Sequence, residues 1–280
     1  MNVSASTSPA ARRIKPRPTP SWRAVAVPVE HGGWSFLIEP LVLGLIVAPS
    51  AAGAWVALSA VAAFLARHPL RLAALDWRKG VRHPRTALAE RVLAGYAAAA
   101  AASLAAAVGQ GHASLLLPLA FAAPLALFAL RRDLETRSRE ALSEMAGALA
   151  LGSSAATIIL AGYGDPVLAW TAWALGAGRA ITTILYVRAR VRVDRGTTGE
   201  ARVALTRPVH AAHAAAVVLA MLALGAGLVG PAAASAFALL LLRAAHGLAP
   251  GRKPIRPQIL GVQEVLIGVV CVGLFAAGLD

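Results

Sequence analysis

The chain alternates long apolar segments with short segments that hold most of its charges. Each apolar segment has about 16 to 22 residues, close to the length a helix needs to cross the roughly 30 Å hydrocarbon core of a bilayer. The pattern predicts nine membrane-spanning helices, at Trp34 to Pro49, Ala51 to Ala66, Val92 to Val108, Ala113 to Leu130, Ser143 to Gly162, Pro166 to Val187, Pro208 to Val229, Pro231 to Leu248 and Leu260 to Leu279.

Two of these predictions need a choice between alternatives. The first two segments are short and adjacent, but together they are too long for one crossing, which favours a hairpin of thin or tilted helices. The third segment is rich in alanine, which inserts into a bilayer less readily than leucine or isoleucine. A helix lying at the membrane surface is therefore the alternative for this segment.

The basic residues fall on alternate connections. Every Lys and Arg except Arg179 lies in the N-terminal tail or in residues 67–91, 131–140, 188–207 and 243–256. Lys and Arg close to the ends of spans are retained in the cytoplasm. The alternation therefore predicts a cytoplasmic N-terminus, an odd number of crossings and a chain end outside.

Composition supports a membrane protein and excludes several other classes. The chain is 58% hydrophobic and only 14% charged, whereas soluble domains are about a quarter charged. Its net charge of +14 resides in runs between apolar segments, not on a broad polar surface, so no nucleic-acid partner is predicted. The single cysteine, Cys271, excludes an intramolecular disulfide and a cysteine metal site.

We predict two regions and an all-α fold. Residues 1–28 are polar, basic and dotted with proline, which predicts a disordered cytosolic tail without a signal peptide. Residues 29–280 form the predicted polytopic transmembrane helix bundle.

Three ionisable residues inside the predicted spans stand out. A charge at the centre of a membrane helix costs about 2.5 to 3.5 kcal/mol, so such residues are the first candidates for function. Glu39, Arg179 and Glu264 all lie in the predicted cytoplasmic half of their helices. A Glu39–Arg179 ion pair would lower the cost of both charges, and a purely structural role for this pair remains an alternative.

Further polar residues collect at the same end of the predicted bundle. They predict a polar chamber that opens to the cytoplasm, rimmed by basic connections that attract anionic ligands. The alternative is that helix ends are generally polar. The candidate ligand-binding residues are Glu30, His31, Glu39, Asp76, Arg78, Arg82, Glu144, Arg179, Arg188, Asp194, Arg195 and Glu264.

The segment Glu30-His31-Gly32-Gly33-Trp34 is the most distinctive in the chain. An acid beside a histidine could move protons, and two glycines allow a close backbone approach. A capped helix start with an interfacial tryptophan is the alternative. No metal-ligating motif and no phosphate-binding loop accompanies this segment, so no metal site is predicted and no cofactor is identified.

Three segments together resemble a known family. Pro28-Val-Glu30-His31-Gly32-Gly33-Trp34, His68-Pro69-Leu70 and Asp76-Trp-Arg-Lys-Gly80 resemble the YwiC-like family of bacterial membrane proteins. The resemblance extends over nearly the whole chain after the tail. It implies a multi-pass protein of the bacterial plasma membrane and no particular activity.

The nine-helix topology also resembles that of the UbiA-type prenyltransferases. Those enzymes bind a magnesium-bound diphosphate with two Asp-rich motifs, after their second and sixth spans. Here each of these connections has one aspartate, Asp76 or Asp194, surrounded by arginines. Without paired acids, metal-dependent ionisation of a prenyl diphosphate is not expected.

Three functional hypotheses follow. The first is a UbiA-like scaffold that binds an anionic lipid or an isoprenoid from the cytoplasmic leaflet, with or without transferase activity. The alternative is a proton-coupled permease or exporter that uses Glu39, Arg179 and Glu264. A purely structural membrane protein is the third.

Overall fold

The computed structural model describes residues 21–28, 33–138 and 140–279. All regular structure in these ranges is helical, as predicted. Ten α-helices follow one another, with a short 3-10 turn at Ala113–Leu115 before α5. They are α1 (Trp22–Ala26), α2 (Gly33–Val47), α3 (Ala51–Arg78), α4 (Pro84–Gln110), α5 (Leu116–Leu134), α6 (Ala141–Gly162), α7 (Pro166–Asp194), α8 (Gly199–Gly225), α9 (Pro231–Gly247) and α10 (Pro257–Ala276).

Each of the nine predicted spans overlaps one helix from α2 to α10. Among the described residues, six helices are long and apolar enough to cross a membrane: α3, α4, α5 with its preceding turn, α6, α8 and α10. Helix α2 is apolar but has 15 residues. The alanine-rich α4 is among the six, although few of its residues are buried in the bundle.

Several predicted connections are helical. Helix α3 continues through Pro69 to Arg78, and α8 begins at Gly199 and includes Pro208 as an internal residue. A proline inside a helix removes one backbone hydrogen bond without necessarily ending the helix. Much of the charge assigned to loops therefore lies on helical extensions of the apolar segments.

The connections gather at two ends of the bundle. At one end, which we call the basic end, the end of α3 contacts the end of α5, and the end of α7 contacts the connection after α9. Arg78 donates a hydrogen bond to the Leu134 carbonyl (2.9 Å), and Arg190 donates to the Lys253 carbonyl (2.8 Å). At the opposite end the Gly230 N–H donates to the Gly278 carbonyl (2.6 Å). Consecutive helices therefore run up and down.

Helix α6 lies at the centre of the packing. Its residues from Gly152 to Ala161 are all buried, and it packs against α2, α3, α5 and α7. Small residues allow this close approach. A Cβ atom at Gly44 of α2 would lie 2.9 Å from the Cβ of Ile158, a distance that real side chains do not tolerate.

The end of the predicted disordered tail is folded. Helix α1 buries Val25 and Ala26 against α3 and α4. The Tyr96 hydroxyl of α4 donates to the Ala26 carbonyl (3.2 Å), which fixes this segment to the bundle. The predicted boundary at residue 28 thus falls after an ordered element, while residues 1–20 lie outside the described ranges.

Candidate functional site

The predicted ion pair between α2 and α7 is present. An Nη atom of Arg179 lies 2.8 Å from Oε1 of Glu39. The Arg179 side chain is only 4% exposed and that of Glu39 is 16% exposed. Arg179 also contacts the Thr183 hydroxyl (3.4 Å) and the Glu264 carbonyl oxygen (3.3 Å), so helices α2, α7 and α10 meet at this guanidinium group.

A second buried ion pair joins α9 and α10. Arg243 donates a hydrogen bond to the carboxylate of Glu264, and both side chains are nearly buried. The Arg243 guanidinium lies over the Tyr186 ring, 4.1 Å from its centroid, a cation–π contact that strengthens when water is excluded. Glu264 is therefore held by an arginine whose own position is fixed by an aromatic ring.

Arg243 lies inside a helix and not in a connection. The alternation of basic residues predicts it in the connection between the last two spans, whereas it lies inside α9 and its side chain is 9% exposed. The signal was in the sequence, because Arg243 falls within the predicted span from Pro231 to Leu248. The alternation of basic residues therefore misses a second arginine inside a predicted span, in addition to Arg179.

His213 of α8 completes this part of the site. Its Nδ1 lies 2.8 Å from the Val209 carbonyl, and its Nε2 lies 3.3 Å from an Nη atom of Arg243. A carbonyl requires a donor and an arginine requires an acceptor. The contacts therefore assign a neutral His213 with the proton on Nδ1.

We call Glu39, Arg179, Arg243 and Glu264 the charge cluster. It contains two carboxylates and two guanidinium groups, so its formal charges balance with both acids ionised. This balance lowers the cost of burying four charged groups. Three buried atoms of the charge cluster lack a hydrogen-bond partner among the described residues: Nε of Arg179, Nε of Arg243 and Oε1 of Glu264.

Gly268 allows α10 to approach the Glu39–Arg179 pair. A Cβ atom at this position would overlap a Glu39 carboxylate oxygen and lie 2.5 Å from an Nη atom of Arg179. Only glycine, which has no Cβ atom, therefore fits at this position beside the ion pair. No pattern in the sequence distinguishes this glycine from Gly261 and Gly273 on the same helix, at which an added Cβ would meet no atom within 4 Å.

A narrow crevice lies beside the charge cluster, between α2, α6, α7 and α10. Glu39 and Arg179 are on its wall. The rest of the lining is mostly small or apolar, and includes Ala148, Gly152, Ala155, Gly176, Ala180 and Phe36. Neither Arg243 nor Glu264 is among the lining residues, so only one of the two ion pairs borders the crevice.

Asp76 has a different neighbourhood, at the basic end. It is buried in the last turn of α3, within the charged extension beyond the apolar segment, and accepts hydrogen bonds from Arg85 (2.7 and 3.1 Å) and Thr86 (2.7 Å). The Arg85 hydrogen bonds lower the pKa of Asp76 from 3.8 to about 2. An ionised Asp76 thus joins the end of α3 to the start of α4.

Asp194 also has structural partners. It accepts a hydrogen bond from Arg190 (3.0 Å), whose guanidinium also donates to the carbonyls of Gly247 and Lys253. The buried Arg190 therefore joins the end of α7 to the connection between α9 and α10. Asp76 and Asp194 have no partner in common, and no group of three or more His, Cys, Asp or Glu side chains converges within the described ranges.

The remaining candidate residues are spread over the basic end. Arg78 binds the Leu134 carbonyl, Arg82 pairs with Glu90 (2.8 Å), and Arg188 pairs with Glu144 (2.9 Å). Arg195 is exposed just after α7. Glu30 and His31 lie outside the described residues. The structure thus brings together Glu39, Arg179 and Glu264, and places the other described candidates elsewhere.

The apolar helices and the buried charge cluster define a polytopic helical membrane protein. Residues 27–159 match the model of the YwiC-like protein family, the family that the motifs in this stretch predicted. The match includes Glu39 but ends before α7. Comparison with curated proteins and with solved structures finds no match.

Proposed function

We propose that this protein is a proton-coupled permease or exporter of the bacterial plasma membrane, with the charge cluster as its site. One observation carries the proposal: an ion pair from this cluster borders a crevice between four helices. Charged residues at membrane depth are rare and commonly mark pathways for substrates or protons. Charge pairing alone would need no crevice beside it.

Binding of an anionic lipid or isoprenoid at the basic end is the weaker proposal. The guanidinium groups of Arg78, Arg82 and Arg188 already bind oxygen atoms of the chain. A lipid head group would have to compete with these contacts. The charge cluster lies within the apolar part of the bundle, where charge is costly. We therefore propose it as the functional site in preference to the arginines at the basic end.

The carrier needs a defined orientation, and we propose nine crossings with the basic end in the cytoplasm. The up-and-down order of α2 to α10 and the basic residues at one end support this topology. A reporter fused after Asp280 is expected to be extracytoplasmic, and reporters fused after Gly80 or Gly196 cytoplasmic. An even number of crossings would place the Asp280 fusion on the same side as the other two.

Proton movement in reconstituted vesicles tests the carrier. Purified protein is placed in liposomes with an internal pH-sensitive dye, and organic anions, organic cations and sugars are added outside in turn. Wild type is expected to move protons with one of these classes, and Arg179→Met to lose that flux because the ion pair is gone. Arg82→Met is the matched control, since its ion pair with Glu90 is exposed, and it should retain the flux.

Two results would count against a carrier. Wild-type protein that moves protons with none of the three classes is not a proton-coupled carrier of these solutes. A flux that Arg179→Met leaves unchanged would show that solutes do not pass by the charge cluster.

A further inference from the structure

The two ion pairs of the charge cluster are held unequally. Glu264 binds Arg243, which is itself fixed by the Tyr186 ring and by His213. Among the described residues, Glu39 is bound by Arg179 alone, through a single hydrogen bond. Its carboxylate also borders the crevice, which that of Glu264 does not. Of the two glutamates, only Glu39 therefore lines the crevice.

Arg179 has contacts that do not involve Glu39. Its guanidinium also contacts the Thr183 hydroxyl (3.4 Å) and the Glu264 carbonyl (3.3 Å), and its Nε has no hydrogen-bond partner within the described part of the chain. Arginine stays protonated in proteins and binds carboxylate, sulfonate and phosphate groups through two parallel hydrogen bonds. An Arg179 without Glu39 is therefore a preformed anion site.

We infer that the substrate is a monovalent organic anion that takes the place of the Glu39 carboxylate on Arg179 while Glu39 takes up one proton. The inference rests on the proposed carrier function and names its substrate class. The proton goes from solvent to a Glu39 oxygen, and the Glu39–Arg179 hydrogen bond is exchanged for one from Arg179 to the anion. The crevice has a volume of about 30 Å³, enough for roughly two water molecules, so its small, apolar lining has to move apart to receive the uncharged part of the substrate.

Charge balance is the physical reason for coupling. With both acids ionised the cluster is neutral, and an added anion would leave an uncompensated negative charge in an apolar region, which is strongly unfavourable. One proton on Glu39 restores neutrality when the anion binds. The same balance predicts one proton per anion and transport that carries no net charge.

The groups around Glu39 are consistent with its role as the proton acceptor. From α7 it faces Arg179, and from α10 it is near Glu264 and Cys271. Helix α6 contributes only Ala148, Gly152 and Ala155 to the crevice, and the ring of Phe64 from α3 packs on Trp34 of α2. Both carboxylates are paired with an arginine, but only Glu39 lines the crevice, so we assign the proton to Glu39.

Equilibrium binding of benzenesulfonate, measured with purified protein in nanodiscs, tests the exchange. This probe has an apolar ring and stays anionic across the pH range used, so any proton taken up must be bound by the protein. Wild type is expected to bind it about tenfold more tightly for each pH unit of acidification, with one proton taken up per anion in weakly buffered solution. Glu39→Gln is expected to bind with no pH dependence and no proton uptake, and Glu90→Gln, the exposed control, to behave as wild type.

The outcomes separate the inference from the carrier proposal. Wild-type binding without proton uptake, or proton uptake that Glu39→Gln retains, overturns the exchange at Glu39 and leaves a carrier possible. Absence of benzenesulfonate binding, together with proton flux driven by organic cations or sugars in the vesicle assay, overturns the anion as substrate class but leaves the carrier. If Glu39→Gln does not fold, anion binding to the wild-type protein without proton uptake still overturns the exchange.

Discussion

Glu39→Gln is expected to lower the free energy of unfolding by about 3 to 5 kcal/mol, the range for breaking a buried ion pair. The substitution leaves Arg179 charged, 4% exposed and without its carboxylate. Arginine cannot give up its proton in a protein, so the charge stays uncompensated. Reversible unfolding in mixed detergent micelles measures the loss.

Replacing Arg179 should lower the free energy of unfolding by less than replacing Glu39. In Arg179→Met the lone Glu39 can take up a proton and become neutral, which avoids a buried charge. The loss should therefore be smaller than for Glu39→Gln and should shrink further in acid. The double variant is expected to recover about 1 to 3 kcal/mol relative to the sum of the single losses.

An exposed ion pair provides the matched control. Arg82 and Glu90 lie 2.8 Å apart with side chains 75% and 27% exposed. Exposed pairs contribute roughly 0 to 1 kcal/mol, so Arg82→Met with Glu90→Gln should give a coupling energy close to zero. Losses that simply add for Glu39 and Arg179 would show that this pair contributes nothing in the membrane.

Gly268→Ala is expected to disturb the charge cluster from the side of α10. The added methyl group would overlap the Glu39 carboxylate and approach Arg179, and overpacking of this kind costs about 1 to 3 kcal/mol. Separation of the ion pair adds to this loss. The coupling energy between Glu39 and Arg179 should also fall in the Gly268→Ala background, which links the effect to the pair.

Two other glycines of α10 are matched controls. At Gly261 and Gly273 an added Cβ meets no atom within 4 Å, and both positions are exposed. Alanine favours a helix over glycine by about 1 kcal/mol, so Gly261→Ala and Gly273→Ala should be neutral or stabilising. A Gly268→Ala variant as stable as these two would contradict the close contact between α10 and the pair.

The fold class could be predicted from sequence because it depends on local properties. Segment length and apolar content decide which parts of a chain form membrane helices, and each predicted span overlaps a helix. The ends of the helices were less accurate. The polar residues between Arg67 and Arg78 predict a connection, but α3 continues to Arg78. A helix can extend beyond the bilayer because water does not prevent its backbone hydrogen bonds from forming.

The Glu39–Arg179 pair was predictable for a simple reason. Each is the single charge within its predicted span, and a lone charge in hydrocarbon needs a partner of opposite sign. The same reasoning would have paired Glu264 with Arg243 if Arg243 had been counted inside its span. These partners can be predicted because a charge in hydrocarbon requires an opposite charge, whatever the order of the helices.

The sequence by itself determined a bundle of apolar helices, the alternation of basic and uncharged connections, and the need for compensation of the charges inside the spans. Tertiary structure alone decided that Gly268 touches the ion pair, that His213 and Tyr186 hold Arg243, and that a crevice borders Glu39. The tertiary structure also gives Asp76 and Asp194 different partners, so they do not form one site. These contacts join residues far apart in sequence, so they depend on which helices become neighbours and how each is rotated about its axis, and helix packing sets both.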